Sequence, residues 1–401
     1  MPSQETDVTS RNLRIGHLVS LKNLGGVERY FTRFYTRHAP RHDHHVLLQT
    51  DDVHELLKPA YQPYAARIHS IKGPAGFKIP RPLASLRHRY QKRLLASRNI
   101  DAILVWNKII NHPLAFPDHL PLVHFERGSA WLAEDAASIR NYLARIDGVL
   151  CNSYAGLRIL QLKWNVSESI PHQVLQNAIS LPEVQSDHPE HRFRVGFAGR
   201  LTALKAPIVA LESFAELKAR CPHAEFWIAG KGPMEPILKE QVRHWGLEDS
   251  VRFCGLVDDM AEFYTSLDAF ICPSWREPFG NVVQEALAYG VPTIAGDVDG
   301  MPELVSTGEN GAILTPSRPR QSLAQYGDAV IKGPRDVYSP SQDRIVEAGV
   351  LEPAEVADCL EHWARNPVLR RQLGQKARDR VLRDFDLDVY GDRLATFMTT
   401  V

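Results

Sequence analysis

Short apolar runs alternate with amphipathic stretches along nearly the whole chain. In the first half these runs are LRIGHLVS, HHVLLQT, DAILVWN, PLVHFER, GVLCNS and HQVLQNA, and helical spacing separates most of them. The second half repeats the rhythm with RVGFAGR, AEFWIAG, VRFCG, DAFICPS and PTIAG. Strands that alternate with helices imply parallel sheets covered on both faces. The expected fold class is therefore α/β, with two Rossmann-like domains facing across a cleft and ligands held at the carboxyl ends of the strands. The polar, proline-containing stretch PEVQSDHPEH, Pro182 to His191, is the expected linker, dividing the chain into 1–183 and 184–401. After Leu314 the regularity fails, and TPSRPRQSLAQYGDAVIKGPRDVYSPSQDR reads as a partly irregular excursion. A helical tail resumes near Pro353, with VLRRQLGQKARDRVLRDF expected to pack along the domains.

Composition narrows the possibilities. The 401 residues carry 47 Lys and Arg against 47 Asp and Glu, a neutral balance that argues against bulk nucleic-acid binding. No stretch stays apolar for the ~18 residues a membrane span needs, and the start MPSQETDVTSRN is polar, so neither a span nor a signal peptide is expected. A cytoplasmic location follows as the expectation. Cys151, Cys221, Cys254, Cys272 and Cys359 lack C-x-x-C spacing, which suits reduced thiols rather than disulfides or a zinc site. Charge is nonetheless uneven. From Leu56 to Ile100 there is no acidic residue, while Lys58, Arg67, Lys72, Lys78, Arg81, Arg87, Arg89, Lys92, Arg93 and Arg98 are all present. Such a block can dock on anionic lipid, at ~1 kcal/mol per charge, or hold an acidic acceptor. It can equally be a solvated helix face, since Leu83, Leu86, Tyr90 and Leu94 recur at near-helical spacing.

The segment richest in chemistry is E-P-F-G-N-V-V-Q-E, from Glu277 to Glu285. A Phe-Gly-Asn turn opening a helix offers unpaired backbone N–H groups to a phosphate, and a carboxylate on either side can bind hydroxyls. A sugar joined to a ribose through a pyrophosphate has that layout; two solvated glutamates on a surface helix would have the same spacing. Upstream, V-G-F-A-G-R-L-T-A-L-K places Arg200 and Lys205 after a strand, where two cations would suit a diphosphate. Gly25 and Gly26 follow the first strand and let backbone approach a ligand, without the full G-x-G-x-x-G of a dinucleotide site. His124 sits in PLVHF ahead of E-R-G-S, at the expected lip of the cleft. His42, His44 and His45 have no carboxylate pattern around them and read as structural or exposed.

Taken together these pieces resemble the retaining glycosyltransferases of family 4, which have the GT-B fold. The resemblance rests on G-G-V-E-R at Gly25 to Arg29, His124, Asn177 in Q-N-A-I, G-R-L-T-A-L-K, A-G-K-G-P at Ala229 to Pro233, V-R-F-C-G-L-V and R-E-P-F-G-N-V-V-Q-E-A-L-A-Y-G-V-P, with G-Q-K-A-R-D-R-V resembling the closing helix. It implies that Glu277 binds the donor sugar's hydroxyls, that the backbone of Phe279, Gly280 and Asn281 faces sugar and phosphate, and that Glu285 holds the ribose. Arg200 and Lys205 would neutralise the diphosphate, Gly25 and Gly26 would cover it, His124 would sit beside the transferred sugar, and the backbone near Gly255, Leu256 and Val257 would meet the base. It further implies a metal-independent hexosyltransferase using a nucleotide sugar, of the UDP class, with a bacterial surface glycan as acceptor, such as a lipopolysaccharide core or exopolysaccharide intermediate. The basic block 56–100 would then touch an anionic membrane or a lipid-linked acceptor at the inner face of the cytoplasmic membrane. A nucleotide-sugar epimerase of the same fold and a non-catalytic glycan-binding protein are the alternatives. One departure stands out: where the family commonly has two glycines before M-P-E, this chain reads Asp297-Val298-Asp299-Gly300-Met301-Pro302-Glu303. A carboxylate there would repel a diphosphate, so Asp299 is expected either to face solvent, the favoured reading, or to bind a donor hydroxyl. The excursion after Leu314 is likewise atypical of the family.

Overall fold

The structure is a computed structural model that describes residues 13–49, 52–74, 77–107, 116–117, 119–132, 136–180, 192–257 and 259–401. The expected linker, Pro182 to His191, and the 183/184 boundary lie outside the described residues.

Two parallel sheets form the frame. The first contains β1 (Ile15–Val19), β2 (His44–Leu48), β3 (Ile68–Ser70), β4 (Ala102–Trp106), β5 (Leu122–Glu126), β6 (Gly148–Cys151) and β7 (His172–Val174), in the order β3-β2-β1-β4-β5-β6-β7. The second contains β8 (Arg194–Ala198), β9 (Glu225–Ala229), β10 (Val251–Gly255), β11 (Ala269–Cys272), β12 (Thr293–Gly296) and β13 (Gly311–Leu314), in the order β10-β9-β8-β11-β12-β13. β1, β2, β4, β5 and β6 are buried along their whole length, which is why the sequence shows apolar runs rather than alternation. Strand order reverses between β1 and β4 in one sheet and between β8 and β11 in the other. Those two switch points are where a doubly wound sheet leaves a crevice for a ligand.

The histidines His44 and His45 are buried parts of the first sheet. His44 meets His17 at 2.8 Å, and His45 meets His69 at 3.1 Å, so this cluster is structural. Burial drives the His17 ring down to about 3 and His69 down to about 4, keeping both neutral.

The helical tail binds the domains together. Helix Pro353–Arg365 sinks Val356, Leu360 and Trp363 into the core of the second domain, and helix Pro367–Asp384 adds Leu373 to the same core. The second helix crosses the loop behind the Glu285 helix closely enough that a Cβ on Gly374 would lie 2.2 Å from the Gly290 carbonyl oxygen. The chain then turns back. Leu387, Tyr390, Leu394, Phe397 and Met398 of helix Leu387–Thr400 complete the core of the first domain. The outgoing and returning crossings touch, Ile179 N donating to Phe385 O at 3.0 Å.

The excursion after Leu314 is ordered. β14 (Arg318–Pro319) pairs with β17 (Gly349–Val350), and β15 (Asp336–Ser339) with β16 (Arg344–Glu347) forms an antiparallel hairpin. Leu323 and Val330 anchor the segment in the second domain, whereas Tyr338 and Ile345 pack against the core of the first.

Candidate active site

Helix Asn281–Ala288 starts at the carboxyl side of β11, and Gly280 caps it at φ +97°, with no side-chain hydrogen bond at the cap. A side chain there would be strained and would meet Met301, a Cβ lying 2.3 Å from its Cε. The geometry directs the amino end of the helix at the switch point between β8 and β11. Phe279 is buried and packs edge-on to Phe385, leaving its backbone as the part near the cleft, while the Asn281 Oδ1 accepts from Asn177 Nδ2 at 2.6 Å.

Glu277 is buried, with 7 % of its surface exposed, and its carboxylate pairs with the Lys205 ammonium from the short turn after β8. The two predicted residues therefore meet directly, and Lys205 is already charge-compensated. Arg200, by contrast, is exposed, and no acidic group among the described residues pairs with it. Across the cleft stands the glycine turn. A Cβ on Gly25 would come within 4.0 Å of an Arg200 Nη, and one on Gly26 within 3.7 Å of the Asn281 amide nitrogen. Gly25 N donates to Glu28 Oε2 at 3.1 Å, which closes the start of helix Gly26–His38. Gly25, Gly26, Arg200, Lys205, Glu277 and Asn281 thus line one crevice between the two switch points.

Glu285 lies one helical turn beyond Asn281. Its Oε2 accepts from Tyr264 Oη at 3.0 Å. Burial raises its carboxyl above the usual range, opposed by Arg33, by the Tyr264 hydroxyl and by Arg29. Two of these opposing groups belong to helix Gly26–His38 of the first domain, so the charge on Glu285 is tuned from across the cleft. At the end of β10, Gly255 takes φ +68° and its carbonyl accepts from Gly230 N at 2.6 Å; Leu256 is 71 % exposed, and Val257 packs against the apolar cluster that contains Phe263 and Tyr264.

Two expectations are corrected. His124 is not at the lip of the cleft: it is wholly buried, with Nδ1 3.0 Å from the Tyr142 hydroxyl and Nε2 3.0 Å from Glu126 Oε2. Glu126 shares its face of the strand two residues on and turns inward, engaging the ring. Burial pushes the Glu126 carboxyl up, but His124, the Ala130 N–H and the Ser129 hydroxyl outweigh it and hold it below its ordinary value. What reaches the other domain here is the backbone of Gly128, whose carbonyl accepts from Arg276 Nη2 at 2.8 Å. Nor does Asp299 face solvent. It is fully buried at φ +45°, with Oδ2 accepting from Glu277 N at 3.1 Å and Oδ1 from Tyr338 N at 3.3 Å. Two backbone donors make burial tolerable for a carboxylate. Burial nevertheless pushes its pKa up to about 6, against the pull of Arg276 and the two N–H groups.

Sequence reasoning also missed Tyr264 and Arg276. Tyr264 lies in an unremarkable helical stretch, whereas Arg276 adjoins Glu277 and could have been singled out as a buried cation. No group of three His, Cys, Asp or Glu among the described residues could hold a metal ion, and no helix among them is long and apolar enough to cross a membrane.

Two facing Rossmann-like domains, a crevice between their switch points and a tail that returns to the first domain make up the GT-B fold. Residues 192–332 match the family model for glycosyl transferases group 1. Over 185 residues the chain is 37% identical to D-inositol 3-phosphate glycosyltransferase 2 of Catenulispora acidiphila, covering 42% of this chain and 38% of that protein. It is 26% identical over 178 residues to the lipopolysaccharide core biosynthesis glycosyltransferase LpsE of Rhizobium meliloti, covering 43% of this chain and 51% of that one. The matched stretch therefore spans about half or less of these relatives. Among solved structures, HepE of Anabaena in complex with UDP superposes with a TM-score of 0.74 at 18% identity, over 97% of this chain and all of that one. WaaG, a glycosyltransferase involved in lipopolysaccharide biosynthesis, gives 0.63 at 14% identity, over 96% and 99%. At such identities the likeness is one of fold.

Proposed function

We propose that the protein is a retaining, metal-independent glycosyltransferase that moves a hexose from a nucleotide sugar of the UDP class to a bacterial surface glycan, such as a lipopolysaccharide core or an exopolysaccharide intermediate. The observation that carries this reading is the meeting of Lys205 with Glu277 beside Arg200, at the amino end of helix Asn281–Ala288 and opposite Gly25 and Gly26. Cations and open helix N–H groups suit a diphosphate, and a buried carboxylate suits sugar hydroxyls. The Anabaena neighbour holds UDP and UDP-glucose, which supports the choice of nucleotide.

In this reading the bond between sugar C1 and the β-phosphate oxygen breaks as the acceptor hydroxyl attacks C1 from the same face. The departing phosphate oxygen takes the hydroxyl proton. The protein supplies charge and position rather than a strong base: Arg200 and Lys205 stabilise the leaving diphosphate, and Glu277 fixes the sugar. Glu285 is assigned to the ribose, and the backbone of Gly255, Leu256 and Val257 to the base.

The basic block favours a lipid-linked or anionic acceptor reached at the inner face of the cytoplasmic membrane. Tyr90 and Leu94 of helix Ala84–Ser97 turn inward, Tyr90 Oη donating to Ser70 O at 3.0 Å. Phe77, Leu83 and Leu86 are exposed in the same stretch of chain as the exposed Lys78, Arg89, Lys92 and Arg93, and Leu56 is exposed at the start of the block. Apolar side chains among cations are the composition of an interfacial surface.

A thermal-shift panel of nucleotide sugars tests the donor, since a ligand at a hundred times its dissociation constant adds ~2.7 kcal/mol of stability. UDP-hexoses are expected to raise the Tm, and product analysis with an acceptor is expected to show sugar transfer. No shift with any nucleotide sugar would sink the reading; free nucleotide with a modified sugar and no acceptor product would replace it with an epimerase.

A further inference from the structure

Glu277 is held in place by a residue that lies outside its own motif. Asp299 accepts from Glu277 N through one carboxylate oxygen and from Tyr338 N through the other, and its own N–H donates to Tyr338 O at 3.0 Å. Gly300 N donates to Glu277 O at 3.2 Å, so the peptide groups on both sides of the Glu277 side chain are clamped from this turn. Asp297 adds a second hold on the hairpin, accepting from the hydroxyls of Ser339, at 3.3 Å, and Ser341. A glycine at 299 would adopt φ +45° without strain, yet it would leave both N–H groups without these acceptors.

The far side of the hairpin belongs to the other domain. The Tyr338 ring lies in the first domain's core with Leu18 and Ile103, and its hydroxyl donates to Asp343 Oδ1 at 2.9 Å. Asp343, at the hairpin turn, takes a two-pronged ion pair from Arg158 of helix Tyr154–Trp164, at 2.8 and 2.9 Å. One side chain is therefore bonded to the backbone of the candidate sugar carboxylate and to a strand that the opposite domain seats.

We propose that Asp299 is the positioning residue of Glu277, and that hairpin 336–347 is the strap through which docking of the first domain sets that position. The inference rests on the reading of Glu277 as the donor-sugar carboxylate. Its consequence is that the sugar subsite is complete only when the two domains are joined through Arg158 and Asp343.

The test is Asp299→Asn, which tolerates the same backbone but offers one acceptor oxygen and turns an amide N–H₂ toward the second donor. Transfer from the UDP-hexose that the parent enzyme uses best is expected to lose about tenfold in kcat, while the Kd for UDP alone, which lacks the sugar, stays within about twofold. Arg158→Ala and Asp343→Asn are each expected to lower kcat by about threefold, and Arg158→Ala is expected to add nothing in the Asp299→Asn background. Faster amide exchange at Glu277 in Asp343→Asn is the expected signature of a loosened strap, read without turnover. Full kcat in a folded Asp299→Asn, or an equal loss of UDP affinity, would overturn the proposal. Were that variant not to fold, full kcat and unchanged Glu277 exchange in the two hairpin variants would overturn it instead. Wild-type transfer by Glu277→Gln would refute the parent reading alone, because the exchange experiment still reports on the strap.

Discussion

The two walls of the cleft are built differently. The second domain contributes side chains: Arg200 and Lys205 after β8, and Glu277 and Glu285 around the start of helix Asn281–Ala288. The first domain contributes mainly backbone and distant charge, with the Asn177 amide, which donates to Asn281 Oδ1, as a side-chain contact. Gly25 and Gly26 stand where an added Cβ would reach Arg200 and Asn281, Gly128 offers a carbonyl to Arg276, and Arg29 with Arg33 acts on Glu285 electrostatically. Its polar side chains His124, Glu126 and Tyr142 are committed to one another. If, as proposed, one wall holds the chemistry while the other sets shape and field, substitutions in the two should fail in different ways.

The largest effects are expected on the side-chain wall. Arg200→Ala and Lys205→Ala should each lower kcat by about 10² to 10³, the scale for losing one preorganised charge-stabilising donor. They should differ in stability. Lys205→Ala leaves Glu277 buried without its cation and should lower the Tm, whereas exposed Arg200 should leave it unchanged. Near-normal transfer by both variants would erase the contrast between the walls.

Next comes a pH effect centred on Asp299, whose neighbours include Arg276 and Glu277 as charged groups and the Tyr338 backbone. Its folded pKa of about 6 lies above the ordinary 3.8, so between these values the unfolded chain is ionised while the folded one keeps its proton. Stability should therefore fall as pH rises from about 4 to about 6 and level off above, at ~1.4 kcal/mol per pH unit at most. Asp299→Asn should flatten that slope in urea titrations run across the interval. An identical slope in both proteins would remove Asp299 as its source.

On the outer face of the first domain, Lys92→Ala combined with Arg93→Ala should weaken binding to phosphatidylserine vesicles by roughly thirtyfold, at ~1 kcal/mol per charge. Co-sedimentation at fixed ionic strength measures it. Glu285→Gln should weaken UDP binding about tenfold by calorimetry and change saturated kcat by less than about threefold, separating the proposed ribose carboxylate from the proposed sugar carboxylate. The smallest catalytic effect is expected from His124→Gln. Its kcat should stay within about threefold of wild type while urea denaturation shows a loss of about 1–3 kcal/mol. A large drop in kcat with intact stability would return His124 to the reacting sugar.

Legibility followed the same division. All eleven strands expected from apolar runs are present, most of them because buried parallel strands write themselves as unbroken hydrophobic segments, although β7 and most of β10 are not buried. β3 and β13 escaped notice: one is three residues long inside the basic block, and the other is a four-residue edge strand beginning at a glycine. Around the candidate site, Glu277, Gly280 and Glu285 were readable because one helix start brings them together in sequence. Asp299 was misread because its partner Tyr338 lies 39 residues further along, and nothing local signals which way a carboxylate turns. His124 was misread for a related reason, since position near a strand's end does not reveal that the next residue on that face will engage the ring. The hairpin was visible only as irregularity. Its four-residue strands are too short to announce a period, and its role comes from contacts with a helix of the other domain.

The return of helix Leu387–Thr400 to the first domain bears on the birth of the molecule. As the ribosome delivers residues 13–180, the first sheet can form, but the surface that Leu394, Phe397 and Met398 will cover stays bare. At translation rates of about 5–20 residues per second, that surface waits roughly 10 to 40 seconds for its lid, while the entire second domain is made. Nascent chains should therefore present a hydrophobic patch around Tyr30 and Phe34 to chaperones throughout that interval, and release should coincide with delivery of the last helix.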